Sequence, residues 1–112
     1  MEGPTIDYVN NGDDIDDYTI TERFIMDMLK WHQAEKKIHP KFVYVILIKA
    51  IRYLRTLPNV IDVHSPAGAK EMFSVCGDVH GQYYDFINIF NKFGYPSKST
   101  PYLFNGFLLI PP

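Results

Sequence analysis

At 112 residues, with 46% hydrophobic and 15% aromatic side chains, the chain is long enough for one domain with a sizeable core and too apolar to stay disordered. A net charge of −2, from 11 Lys+Arg against 13 Asp+Glu, gives no electrostatic footprint for nucleic acid or an anionic membrane. The single cysteine, Cys76, excludes an internal disulfide and no apolar run reaches the ~18 residues of a membrane span, so a reducing cytoplasmic or nuclear setting is expected.

The small net charge hides an uneven distribution. Residues 1–28 carry eight acidic side chains against Arg23 alone, a net of −7 that leaves +5 for the remainder. Between Gly3 and Asp17 there is no apolar period, only Pro, Gly, Asn and Asp around isolated Ile and Tyr, which predicts an exposed acidic linker or arm over 1–18. A calcium loop does not fit the run: with Asp7 as first ligand and Gly12 as the turn glycine, the third position is Val9 and the twelfth is Tyr18.

Thr21 before Glu22 offers a hydroxyl to the free N–H groups of a first turn, and Phe24, Ile25, Met28, Leu29 and His32 recur at helical spacing, which predicts a helix over about 21–36. Pro40 suits a first helical position, and Val43, Leu47, Ala50 and Leu54 form a stripe, so a second helix is expected to run to about Leu57, with Pro58 as its stop. The pair reads as a helical hairpin. From Lys30 to Arg55 its lysines and arginines are opposed only by Glu35 and read as an ordinary solvated face, with no aromatic platform for nucleic acid.

After an irregular connection over 59–69, Met72 to Val75 is a short apolar run ending before Gly77, the signature of a buried strand. Tyr83 to Phe93 is helical, with Tyr83, Phe86, Ile87, Phe90 and Phe93 on one face and Gly94 as its stop, and Tyr102 to Asn105 reads as a second strand. A crossover of this length implies a parallel βαβ unit over 71–105, whose functional loop lies beyond the first strand.

That loop is Gly77-Asp78-Val79-His80-Gly81-Gln82. Residues i and i+2 of an extended segment project to one side, so Asp78 and His80 can converge on one ion while Gly77 and Gly81 let the backbone turn. A carboxylate with a neutral imidazole suits Mn, Fe or Zn. Spacing alone leaves two plainer roles open: Asp78 capping the following helix, and His80 donating to a nearby carbonyl.

The longer string Phe73-Ser74-Val75-Cys76-Gly77-Asp78-Val79-His80-Gly81-Gln82-Tyr83-Tyr84-Asp85 closely resembles the first metal-binding motif of the serine/threonine phosphoprotein phosphatases. Asn88-Ile89-Phe90, Gly94-Tyr95-Pro96-Ser97 and Pro101-Tyr102-Leu103-Phe104-Asn105-Gly106 continue that family's pattern. Trp31, Lys36-Lys37 and His39 are most similar to the branch of the family that carries tetratricopeptide repeats. The resemblance covers about residues 3–106. It implies an α/β fold, a helical hairpin over 21–57 followed by the first βαβ unit of a metallophosphatase β-sandwich domain, forming the opening of the catalytic region over 19–106. It implies Asp78 and His80 as ligands of the first of two divalent metals (Mn, Fe or Zn), Cys76 as a small buried residue just before them, and phosphoprotein substrates, with neither nucleic acid nor membrane as partner.

Where the family continues Gly-Asp-x-Val-Asp-Arg-Gly, this chain has Gly106-Phe107-Leu108-Leu109-Ile110-Pro111-Pro112, so Phe107 stands at the position of the metal-bridging aspartate and 107–112 is a divergent tail. The remaining metal motifs are missing. The resemblance therefore implies a truncated phosphatase, inactive as it stands and without catalytic residues of its own. Its tetratricopeptide-mediated partners are not expected, because those repeats are missing. A non-catalytic fragment that binds a partner or is unstable is the alternative; a phosphodiesterase shares Gly-Asp-x-His-Gly but not the Gln82-Tyr83-Tyr84-Asp85 context.

Overall fold

The computed structural model describes residues 2–62 and 73–106. These fall into two compact units that part between Ile61 and Asp62. Met72 of the expected first strand, most of the 59–69 connection and the 107–112 tail lie outside the described residues.

The first unit begins with a short antiparallel pairing of β1 (Asp7–Tyr8) and β2 (Tyr18–Thr19), in which Tyr8 faces Tyr18. The loop between them is held by its own polar groups. The Asp14 carboxylate accepts from Asp16 N at 3.0 Å, and Asp17 accepts from Asp14 N at 3.3 Å, a reciprocal capping box around the 3-10 turn Ile15–Asp17. Asn10 Nδ2 donates to Asp17 at 2.8 Å, and the Tyr18 hydroxyl donates to the carbonyl of Gly12, whose φ of 68° places it in the left-handed region. Arg52 meets Asp16 at 2.9 Å from the far helix.

The expectation of an exposed arm over 1–18 is therefore replaced by a packed segment. Ile6 is 1% exposed and Tyr18 4% exposed, and both belong to the core formed with Phe24, Ile38, Phe42 and Val45. No apolar period announces this, because the segment contributes single anchors from separate turns rather than a continuous face. Asp14 and Asp17 serve as local hydrogen-bond acceptors while remaining open to solvent, so acidic residues and buried anchors share one segment.

Helix α1 (Glu22–Gln33) starts as expected at Thr21, whose hydroxyl accepts from Phe24 N at 3.1 Å. It stops about three residues earlier than its apolar spacing suggests. Glu35 N–H bonds the His32 carbonyl, Lys36 N–H bonds the Trp31 carbonyl, and Glu35 takes a left-handed φ of 59°, the closing pattern usually built on glycine. Trp31 fastens this turn by donating its indole N–H to the Lys37 carbonyl at 3.1 Å, beneath the Lys36 ammonium at 4.5 Å from the ring centroid.

Helix α2 (Pro40–Arg55) places Pro40 in its first turn, with the His39 ring accepting from Lys41 N at 3.1 Å. The face turned inward is not the stripe that the sequence suggests. Phe42 and Val45 are buried, whereas Val43, Leu47 and Leu54 are exposed. The helix carries apolar side chains nearly all round, so periodicity alone does not choose the face; the Phe24–Phe42 edge contact and Ile6 choose it.

In the second unit β3 (Ser74–Cys76) pairs in parallel with β4 (Tyr102–Phe104), and α3 (Tyr83–Phe93) connects them. Ile87 and Phe90 are buried, with the Phe90 ring 5.3 Å from Tyr102 and the Phe86 ring 5.3 Å from Phe104. The Tyr102 hydroxyl donates to the carbonyl of Gly94, whose φ is 97°. The described residues are thus mainly helical with two separate two-stranded sheets. No helix among them is long and apolar enough to cross a membrane.

Replacing Ile6 by Ala should destabilise the first unit by about 2–5 kcal/mol, the range for a fully buried aliphatic side chain, measured by urea unfolding; an exposed arm would show almost no change. In the second unit burial pushes the Tyr102 phenol up, with the Cys76 thiol adding, and burial also raises Tyr83. A raised folded pKa favours the neutral phenol in the fold. The associated stability is complete below the ordinary value of 10.0 and is lost as pH rises through the raised one. Thermal melts of the full chain should therefore fall as pH rises above the ordinary value of 10.0, and less steeply in Tyr102→Phe.

Candidate functional site

The loop from β3 into α3 is shaped by its ends. Asn105 N–H bonds the Cys76 carbonyl at 2.8 Å, so the strand pairing closes just before Gly77, and Gln82 N–H bonds the Val79 carbonyl to form the turn that leads into the helix. The left-handed residues are His80, with φ 56°, and Gly81, with φ 68°. Gly77 does not supply the turn expected of it: its φ is not positive, and a Cβ there would meet nothing within 4 Å. The sharp reversal thus rests on His80 and Gly81. A histidine is among the few residues other than glycine that take this conformation with any frequency.

This reversal brings the two expected ligands together. Asp78 Oδ2 lies 3.3 Å from His80 Nε2, and both side chains are about half exposed. A second residue enters the site unannounced by the sequence reading. Gly106, just past β4 with φ 124°, lies so close that a Cβ on it would overlap the Asp78 carboxylate. The signal available was a glycine placed directly after a strand, a common mark of close backbone approach.

The pair has the chemistry of two metal donors, a carboxylate oxygen and an imidazole nitrogen, and its separation is within what donors ~2.0–2.2 Å from one ion can span. It is not a complete ligand set: among the described residues no cluster of three or more His, Cys, Asp or Glu could hold an ion. Cys76 is partly buried on β3, with its carbonyl engaged by Asn105. Phe107, the residue at the expected bridging position, lies outside the described residues.

Comparison with known proteins gives a family model over the first unit and relatives that align over most of the chain. Residues 2–62, more than half of the sequence, match the family model described as the PPP5 TPR repeat region. Serine/threonine-protein phosphatase 5 of Rattus norvegicus is 37% identical over 106 residues, covering 95% of this chain and 21% of that protein. The protein of the same name from Solanum lycopersicum is 44% identical over 87 residues, 78% of this chain and 15% of its own length. Serine/threonine-protein phosphatase T of Trypanosoma brucei brucei is 40% identical over 96 residues, 86% and 20% respectively. The chain thus spans between 15% and 21% of the length of these relatives.

Two expectations are corrected by the family match. The fold class is that of a helical repeat region with small sheets, not the α/β opening of a metallophosphatase catalytic domain. The statement that tetratricopeptide repeats and their partners are absent also falls, since the matched region is itself a tetratricopeptide region. The structure has a physical counterpart for this: α1, its turn and α2 run from Glu22 to Arg55, one helix–turn–helix of the ~34-residue tetratricopeptide length. By that match the chain belongs to the family of serine/threonine-protein phosphatase 5, through its tetratricopeptide repeat region.

Proposed function

We propose that this chain is a segment of a metal-dependent serine/threonine phosphoprotein phosphatase that does not itself turn over substrate. The observation that carries this reading is the Asp78–His80 pair, two donors 3.3 Å apart with no third His, Cys, Asp or Glu beside them among the described residues. Asp78 and His80 would hold one divalent ion, Mn, Fe or Zn, from one side. When bound, such an ion polarises a phosphoryl oxygen and offsets the charge that develops on it. Gly106 leaves the Asp78 carboxylate room to stay in this position, and the His80–Gly81 reversal keeps the imidazole on the same side. Two ligands leave most positions on the ion to water. Positioning and charge stabilisation supply most of the rate in phosphoryl transfer, and two donors on one ion supply little of either.

A second reading is favoured by the helical unit. Helical-repeat regions present extended binding surfaces, and α2 exposes Val43, Leu47 and Ile51. The first unit accordingly serves as a protein-docking region of the longer phosphatase.

With a phosphoserine peptide and added Mn²⁺, the 112-residue chain should hydrolyse no faster than its Asp78→Asn variant. Turnover by the chain that vanishes in Asp78→Asn would overturn the inactivity proposal. Calorimetric titration should detect weak Mn²⁺ binding that Asp78→Asn or His80→Ala removes. Gly106→Ala should weaken it by about tenfold, the usual scale for disturbing a group that orients a ligand; undiminished binding in all three variants would remove the pair as ligands.

A further inference from the structure

Two histidines flank the turn that joins α1 to α2, and they bond in opposite senses. His32 Nδ1 lies 3.0 Å from the Lys36 carbonyl, which can only accept, so that nitrogen carries a proton in the bond and the neutral and protonated rings both supply it. His39 Nδ1 instead accepts from Lys41 N at 3.1 Å, which requires a lone pair that the imidazolium lacks. Protonation therefore leaves the first contact in place and breaks the second.

The lost bond has no substitute in the first turn of α2. Pro40 has no N–H, and the Phe42 N–H is held by the His39 carbonyl at 3.0 Å, so the Lys41 N–H is the one that depends on the ring. An imidazolium there would also place a positive charge at the positive end of the helix dipole. The neighbouring charges add to that effect. Lys37 precedes the ring and Lys41 follows it by two residues, the first turn of α2 has no acidic residue, and no carboxylate among the described residues pairs with the ring. From the hairpin side, Tyr8 and Tyr18 lie beneath Lys41 Nζ at 4.9 and 5.5 Å, and the charge of Asp13 acts on Lys41. From α1, His32 is turned to the Lys36 carbonyl.

The same turn of helix seats the N-terminal segment. The His39 ring meets Phe42 edge-on at 6.3 Å, Phe42 packs with Ile6 and Tyr18, and Lys41 reaches over Tyr8. At the segment's other end, Gly3 lies so near Trp31 that a Cβ on it would stand 2.9 Å from the indole ring. We propose that His39 is an acid-sensitive latch: its neutral ring caps α2 and holds Lys41 and Phe42 in place for residues 3–20, and its protonation loosens that seat so that the segment is released before the helix pair unfolds. The contribution of the cap is present at neutral pH and is lost as pH falls through the range in which histidines take up a proton.

The test follows cleavage of the full chain within residues 3–20 by a non-specific protease, normalised at each pH to cleavage of a free peptide of the same residues. Cleavage should speed up about fivefold from about pH 7.5 to about pH 5.5, the scale of losing one helix cap. Trp31 is the chain's single tryptophan, and its quenching by acrylamide should rise over the same interval. His39→Asn, which keeps a neutral acceptor at the cap, should abolish the acid response, whereas His39→Lys should be cleaved fast at both pH values. His32→Gln should respond to acid as the parent does. An acid response that persists in His39→Asn would overturn the proposal in favour of the carboxylates of the 9–17 loop, and one that vanishes in His32→Gln would move the latch to that residue. No response in the parent would overturn it outright. Circular dichroism should keep its helical signal at both pH values; a parallel loss of helix would overturn the order of release.

Discussion

The first unit depends on the burial of Phe42. Its ring, 1% exposed, meets Phe24 edge-on from α1 at 6.4 Å and packs with Ile6 and Tyr18, which arrive from the acidic N-terminal segment. One side chain thus joins three stretches of chain that have no common periodicity. The edge-to-face geometry adds roughly 0.5–1.5 kcal/mol to what burial supplies. By contrast the Arg52–Asp16 pair that spans the same elements is exposed at both ends and contributes on the order of 0–1 kcal/mol. The hydrophobic junction, not the ion pair, decides which face of α2 turns inward.

That decision organises what is left outside. Once Phe42 and Val45 point toward Phe24, helical geometry sends Val43, Leu47 and Ile51 the other way, where they stay exposed. The surface is a by-product of the core in geometry, but its charge is independent of the core. Nothing about packing requires the charged side chains of α2 to be cations alone.

Helix ends were legible because capping chemistry is local: Thr21, Pro40 and Gly94 each act within one turn of their own position. Asp78 and His80 do lie close together, but through the left-handed turn at His80 and Gly81 and not through the one-sided projection of an extended segment that their spacing suggested. What spacing did not show were decisions made at a distance. The inward face of α2 is chosen by residues 18 to 36 positions away, Ile6 and Phe24, and Gly106 reaches Asp78 only after α3 and β4 have formed. The packed acidic segment was hidden because its anchors are single residues among carboxylates. The repeat character was hidden for a different reason: one helix–turn–helix offers no internal copy of itself from which a period can be detected.

The turn over Ala34 to His39 ties Trp31 to Lys37 across six positions, whereas the Arg52–Asp16 contact closes over 36. Short closures cost less chain entropy and form sooner than long ones. The helix pair is therefore able to associate while the ribosome is still close behind it. The N-terminal segment, although synthesised first, has no surface to settle on until Phe42 has emerged. The acidic loop can close on itself early by the same reasoning, so it is the docking of Ile6 and Tyr18 onto Phe42 that is expected to come last, although both anchors are synthesised before that ring.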